Sequence, residues 1–331
     1  VVNRNLDGKK LNTYSFDFVG NDKNFKSNSF QVSRDRPYVD IMKDFLGSNH
    51  TYLECNNENQ INCLFKAVDA RDMPCMADVE SSMLYFCKLV SEKCRVTLTG
   101  ECADEIFGGY PWFHRSDMLN QCTFPWSYDM YARTYLFKDD FINHLNIEEY
   151  VQNAYETSVN ECEYLPEENA TETKRRKICW LNVRWFMMTL LTRMDRCSMY
   201  SGLEARVPFA DYRILEYVFN IPWTFKCYNN QPKSLLVECG KDYLPNSILY
   251  RKKTPYPKTY DPLYEKILGE MVLDEYNSNA SLRNIVDRTK LEKFINSPKD
   301  YGKPWYGQLM AGPQMLAYIL QIGYWMRKYN L

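Results

Sequence analysis

The sequence predicts an α/β protein in which a parallel sheet with flanking helices is followed by a mainly helical C-terminal half. Three observations predict it. Short β-favouring runs alternate with amphipathic helical patterns through about residue 100, the signature of βαβ units and a sheet covered on both faces. From about residue 125 the strand signal fades and helical periodicity takes over. The chain has 331 residues, 45% hydrophobic and 25% charged, the balance of a soluble globular protein long enough to bury a sizeable core. Residues 1–124 are therefore expected to form the α/β part and residues 125–331 the helical part.

The elements follow in order. Residues 11–19 alternate apolar and polar side chains of β-favouring type and are stopped by Gly20-Asn21-Asp22. Residues 36–46 place Tyr38, Ile41, Met42, Phe45 and Leu46 on one helical face and end at Gly47. Thr51–Glu54 reads as a short strand, 58–70 and 79–92 as helices, and 95–99 as a buried-type strand running into Gly100. Ligands in such sheets bind at the carboxyl ends of strands, which directs attention to Phe18 and Thr99. Further on, Trp180, Val183, Met187, Leu190, Leu191 and Met194 recur at helical spacing over 176–199. A helix over 211–220 has Asp211 as its N-cap and Pro222 as its stop. Another runs from Lys233 to Cys239 and ends at Gly240. The polar stretch 161–176 reads as an exposed loop or linker. The sequence contains no internal repeat.

Composition removes several function classes. A formal net charge of −1 supplies no field for nucleic acid or an acidic membrane. No apolar run approaches the ~20 residues of a membrane span. The twelve cysteines are spread singly, without a CxxC pair, and read as reduced thiols of a cytoplasmic protein. Three histidines far apart argue against a His-rich zinc site, and the sequons at Asn49 and Asn169 carry little weight without a signal peptide. The N-terminus has no signal-peptide core and no initiator Met, so the expectation is a piece of a longer gene product.

Three segments carry chemistry. In Leu98-Thr99-Gly100-Glu101-Cys102-Ala103-Asp104-Glu105-Ile106-Phe107-Gly108-Gly109-Tyr110, a strand ends at a hydroxyl residue and a glycine, where a ligand can approach the backbone. Glu101 and Asp104 stand three apart at a helix opening, so both can face one cavity and hold a divalent cation through oxygen. Capping the helix is the equally weighted alternative. In the second segment, Arg193, Arg196 and Arg206 bracket acidic residues, and guanidinium groups there recognise carboxylate or phosphate. Structural ion pairs are the plainer reading for Arg193, Arg196 and Glu204, while Arg206 stands between the two. The third, Tyr250 to Lys258, crowds four basic residues around two prolines. It suits a triphosphate or a leaving pyrophosphate, or is a solvated basic turn.

In this order the segments resemble the synthetase domain of the asparagine synthetase family. LTGECADEIFGGY is similar to that family's LSGEGADELFGGY, with Thr99 for Ser and Cys102 for Gly. Glu204–Asp211 is similar to its EARVPFLD, with Ala210 for Leu. The Arg-x-Asp-Arg-x-Ser stretch, the late RKK-type loop and Leu46-Gly47-Ser48-Asn49-His50 also match, so the resemblance covers about residue 9 to the end. It implies an ATP-pyrophosphatase-like fold, ATP and Mg2+, and a two-stage reaction. Aspartate is activated as a β-aspartyl-adenylate with loss of pyrophosphate, and ammonia released from glutamine attacks the acyl group. It implies that the backbone of Phe16 contacts adenine, that Thr99 and Gly100 line the nucleotide, and that Glu101 acts on the intermediate or as base for ammonia. Asp104 then binds the aspartate amino group or supports the site, Lys253 stabilises charge on the α-phosphate, and Arg206 is carried over as a further catalytic residue. The resemblance is compatible with a homodimer.

Two family elements are absent: the SGGLDS pyrophosphate loop, expected before the strand at 11–19, and a glutaminase domain with an N-terminal nucleophilic cysteine. These 331 residues alone are therefore expected not to make asparagine, the glutaminase domain lying in the same longer chain or on a partner chain. Two other readings compete. One is a ligase of the same superfamily that adenylates another carboxylate, of the β-lactam synthetase or lasso-peptide cyclase type. The other is a decayed synthetase acting as an interaction protein.

Overall fold

The computed structural model describes residues 2–6, 8–27, 31–127, 129–297, 300–305 and 308–331. Strand β1 (Asn12–Phe18) leads through helix α1 (Arg36–Leu46) to β2 (Asn49–Cys55), which pairs with it in parallel, Asn12 opposite Asn49 and Phe18 opposite Cys55. Alternation sends Tyr14 and Phe16 to one face, where the Phe16 ring lies 5.3 Å from Phe86. Thr13 and Ser15 go to the other. Their hydroxyls meet the two ring nitrogens of His50 at 2.8 and 2.9 Å, and Thr13 also meets Ser48 at 2.9 Å. The Ser48 and His50 pair of the sequence motif thus staples β1 to β2.

Helix α2 (Asn57–Arg71) starts where the Asn56 side chain accepts from the Asn59 N–H. Helix α3 (Asp78–Ser91) returns beneath the strands and leads to β3 (Val96–Leu98) and the short α4 (Ala103–Phe107). Helix α5 (Ile147–Asn160) precedes α6 (Ala170–Leu181), which runs through a π-helical turn at Asn182–Met187 into α7 (Met188–Tyr200). The loop expected over 161–176 therefore ends at Asn169, whose side chain accepts from the N–H groups of Thr171 and Glu172. The run Glu172–Lys177 is polar because it is the opening of a helix.

The second half also holds strands the sequence did not predict. Strand β4 (Glu204–Arg206) pairs in parallel with β3, and β5 (Asp300–Trp305) pairs antiparallel with β6 (Gln308–Ala311). Instead of one continuous sheet, the described residues form separate two-stranded ribbons. Strand β3 is correspondingly not the buried strand expected, with Val96 and Leu98 exposed. On α1, Ile41 and Phe45 also remain exposed.

Between β4 and the C-terminus, helix α8 (Tyr212–Phe219) is capped by Asp211, and α9 (Ser234–Gly240) follows a short turn of helix at Trp223–Lys226. Helices α10 (Pro262–Ser278) and α11 (Gly312–Tyr329) pack on α2 around Leu64, Leu268, Val272, Leu316 and Ile319, all without solvent exposure. A second, aromatic cluster of Trp112, Phe113, Trp126 and Phe186 backs the segment after α4. Two further clusters meet the strand ends: Tyr14 of β1 packs against Met83, Leu84, Cys197 and Leu203, and Cys102, just past β3, packs with Ile106, Phe107 and Met187.

Candidate functional site

A cavity of about 1270 Å3 lies where β1, the end of β3 and the basic loop come together. Phe16, Thr99, Gly100, Glu101, Asp104 and Lys253 all line it, so six of the seven residues to which the family resemblance gives a role share one cavity. Thr99 closes the β3–β4 ladder by donating its N–H to the Arg206 carbonyl at 3.0 Å. A Cβ on Gly100 would meet nothing within 4 Å, so at Gly100 the backbone borders open space.

Arg206 is the exception. It does not line the cavity; its side chain is exposed and donates to Glu204 Oε1 at 2.7 Å. Residues 204 and 206 lie on the same side of β4 and form an exposed ion pair.

The acidic pair is held by cations. Arg193, only 5% exposed, donates from Nη2 to Glu101 Oε1 at 2.6 Å. Glu101 Oε2 is buried and has no hydrogen-bond partner among the described residues. The Arg193 pair does join the helical half to the strand end, as the plainer sequence reading had it, but it does so in the cavity wall. Asp104 receives two ammonium groups: Lys253 Nζ donates to Oδ2 at 2.8 Å, and Lys233 Nζ lies 3.0 Å from Oδ1. Burial works to raise the Asp104 carboxyl, yet Lys253 and Lys233 outweigh it and hold it below the usual carboxylate range.

Neither sequence alternative for the acidic pair is met. Each carboxylate is already neutralised by a protein cation, and among the described residues no group of three or more His, Cys, Asp or Glu converges on a metal. The described residues do not fit a protein-built divalent-cation site.

Local geometry explains the glycine pair that follows. Gly108 has φ +74°, and a Cβ there would come within 2.4 Å of the Trp223 ring; a Cβ on Gly109 would lie 1.9 Å from Asp104 Oδ1 and 3.1 Å from Asp104 Cα. Gly109 N–H also donates to the Asp104 carbonyl at 2.8 Å. The first glycine supplies the left-handed turn and the second leaves room for the Asp104 carboxylate. Cys102, at φ +72°, occupies a left-handed position that favours glycine, and the family sequence quoted above has glycine there.

Three participants escaped the sequence reading. Glu105 is 1% exposed and accepts from the Tyr110 hydroxyl at 2.5 Å; burial pushes its carboxyl up to about 7, against that hydrogen bond. Tyr110 in turn lies under Lys253, Nζ 4.8 Å from the ring centroid. Lys233 reads from sequence as the start of a helix, and it is the N-cap of α9, in a left-handed conformation at φ +57°. The spacing of Glu105 and Tyr110 within the Gly-Gly-Tyr motif was the one available signal for their pairing. The basic loop is anchored rather than free: Arg251 pairs with Asp35 and lies over the Tyr38 ring at 4.0 Å.

The family model for asparagine synthase matches residues 2–327. The glutamine-hydrolyzing asparagine synthetase 3 of Bacillus subtilis is 42% identical over 323 residues, which cover 97% of this chain and 52% of that protein. Asparagine synthetase 1 of the same organism is 26% identical over 298 residues, 80% of this chain and 45% of that protein. The human asparagine synthetase is 24% identical over 279 residues, 80% and 39% of the two chains. The chain spans about half the length of the curated relatives it matches, and no helix among the described residues is long and apolar enough to cross a membrane.

Proposed function

The chain belongs to the asparagine synthase family, and from that premise we propose that these residues form the ATP- and aspartate-binding part of a ligase that makes asparagine. The observation that carries the reading is the division of labour between the two oxygens of Glu101. Oε1 is tied to Arg193, while Oε2 is buried without a partner at the cavity. An unpartnered buried acceptor is costly, and it is supported where a reacting group fills it.

In this reading the side-chain carboxylate of aspartate attacks the α-phosphorus of ATP. An O–P bond forms as the bond to the β-phosphate breaks, and pyrophosphate leaves with the electron pair. The Phe16 backbone and the Thr99–Gly100 strand end hold the nucleotide. Lys253 neutralises charge developing on the α-phosphate, and Asp104 accepts the ammonium of aspartate as its two lysines turn to phosphate. Ammonia then attacks the acyl carbon, AMP departs, and Glu101 Oε2 takes the proton that nitrogen loses. Arg206 has no part in the sequence of steps.

The relatives' names include glutamine hydrolysis, and we assign ammonia production to a glutaminase domain outside residues 1–331. The two halves, 1–124 and 125–331, act as one synthetase domain of ATP-pyrophosphatase type, since β3 and β4 pair across the boundary.

The test is to incubate the full-length protein with ATP and aspartate and measure AMP, pyrophosphate and asparagine. Glu101→Gln should retain aspartate-dependent pyrophosphate release and lose asparagine formation. Asparagine output equal to the wild type would refute the role of Glu101. Absence of AMP with aspartate, but not with another carboxylate, would favour a sister ligase.

A further inference from the structure

A second, smaller cavity of about 260 Å3 lies behind the first, between the loop ahead of α6 and the turn that follows α8. Trp223 and Arg175 line both cavities. Two cations border the smaller one without a carboxylate partner among the described residues. Lys226 is 5% exposed, and the hydrogen bond it makes there runs from Nζ to the Phe219 carbonyl at 3.2 Å. Arg175 donates to the Phe113 carbonyl at 3.2 Å and lies over the Trp223 ring at 4.7 Å. The α8 carboxyl end offers Lys226 a partial negative charge and one acceptor, which leaves two ammonium N–H groups unused. Burial pushes both cations below their ordinary pKa.

The same lining carries an unused acceptor. Glu168 Oε1 takes both Nε and Nη2 of Arg176, at 2.6 and 2.5 Å, and Glu168 Oε2 is buried with no partner. Formal charges along the lining cancel, Arg175, Arg176 and Lys226 against Glu167, Glu168 and Glu172. A monoanion would unbalance them; a zwitterion does not. The volume lies below the ~300 Å3 at which drug-sized sites begin, so the occupant has few heavy atoms.

We propose that this cavity binds a small α-amino acid, its carboxylate on Lys226 and Arg175 and its ammonium on Glu168 Oε2. The occupant sits against Trp223, whose ring limits the space above Gly108 and so reaches the turn that positions Asp104. The site therefore acts as an effector site. Only this coupling rests on the proposed synthetase reading; binding itself does not.

Calorimetry on the full-length protein tests it, with L-alanine as probe and acetate and ethylamine as its two halves. L-Alanine should bind at least tenfold more tightly than either half. Lys226→Met and Glu168→Gln should each weaken L-alanine at least tenfold while keeping pyrophosphate release within twofold of wild type. L-Alanine should shift the KM for aspartate in the wild type and in neither variant. No L-alanine binding, acetate binding as tightly as L-alanine, or undiminished binding in both variants would overturn the proposal. An unshifted KM alongside intact binding would overturn the coupling. If L-alanine binds and no substrate yields pyrophosphate, the synthetase reading falls and the amino-acid site stands.

Discussion

Replacing Asp78 with asparagine should change how the stability of the protein depends on pH. Asp78 opens α3 with its side chain buried, and Oδ1 has no hydrogen-bond partner among the described residues. Burial pushes its carboxyl up to about 7, with Lys258 pulling the other way. In the unfolded chain the same group titrates near ~3.9. The folded value is the higher one, so the unfolded state releases the proton first. The contribution of this group to stability is greatest below about pH 4, falls between about pH 4 and 7, and is level above that. Each pH unit in that interval costs ~1.4 kcal/mol, or ~4 kcal/mol across the whole of it. The asparagine side chain of the variant does not titrate. The stability difference between Asp78→Asn and the wild type should therefore move by ~3 kcal/mol in favour of the variant from pH 5 to pH 8. Urea unfolding of both full-length proteins at several pH values measures it. A difference that stays constant within ~0.5 kcal/mol would refute the reasoning.

Gly109→Ala places a methyl group against Asp104 Oδ1 and Cα; it should reduce aspartate-dependent pyrophosphate release at least ~100-fold while costing ~1–3 kcal/mol in urea unfolding. Lys233→Gly relieves a left-handed backbone, so stability should stay within ~1 kcal/mol of wild type. The same change removes one of the two cations on Asp104, and pyrophosphate release should fall roughly tenfold in a steady-state assay. Arg193→Met leaves Glu101 buried without its cation and should cost ~3–5 kcal/mol in denaturant unfolding, a loss that Glu101→Gln in the same chain should largely restore.

The extent of helix α1 was legible, because an amphipathic pattern, Pro37 in its first turn and Gly47 at its end all agree, although Ile41 and Phe45 of its apolar face stay exposed. The strand end at Thr99 and the Gly-Gly-Tyr segment were legible for the same reason, each local signal pointing to one geometry. Strand β4 was not. Glu204-Ala205-Arg206 is too short to show a period, and its partner β3 lies far away in sequence. The pairing of Arg206 with Glu204 was hidden with it, since the two residues share one side of that strand. The opening of α6 was hidden by its charges, although Asn169 followed by Glu172 is a capping pattern.

Within the site, the sequence put two carboxylates at one turn but not the cations that hold them. Arg193 reaches Glu101, and Lys233 and Lys253 reach Asp104, only through the packing of distant segments. Glu105 was passed over because a third acidic residue at a helix opening looks like a cap. What distinguishes it is burial and the Tyr110 hydroxyl, both products of the fold.

The central claim is that Glu101 acts after activation, on the acyl group, with Oε2. The direct measurement is a single-turnover experiment on the full-length Glu101→Gln protein, with ATP and labelled aspartate, quenched and separated. The account predicts an accumulating acyl-adenylate and pyrophosphate burst close to wild type, with asparagine absent. Asparagine formed at the wild-type rate, or loss of the pyrophosphate burst together with asparagine, would contradict it.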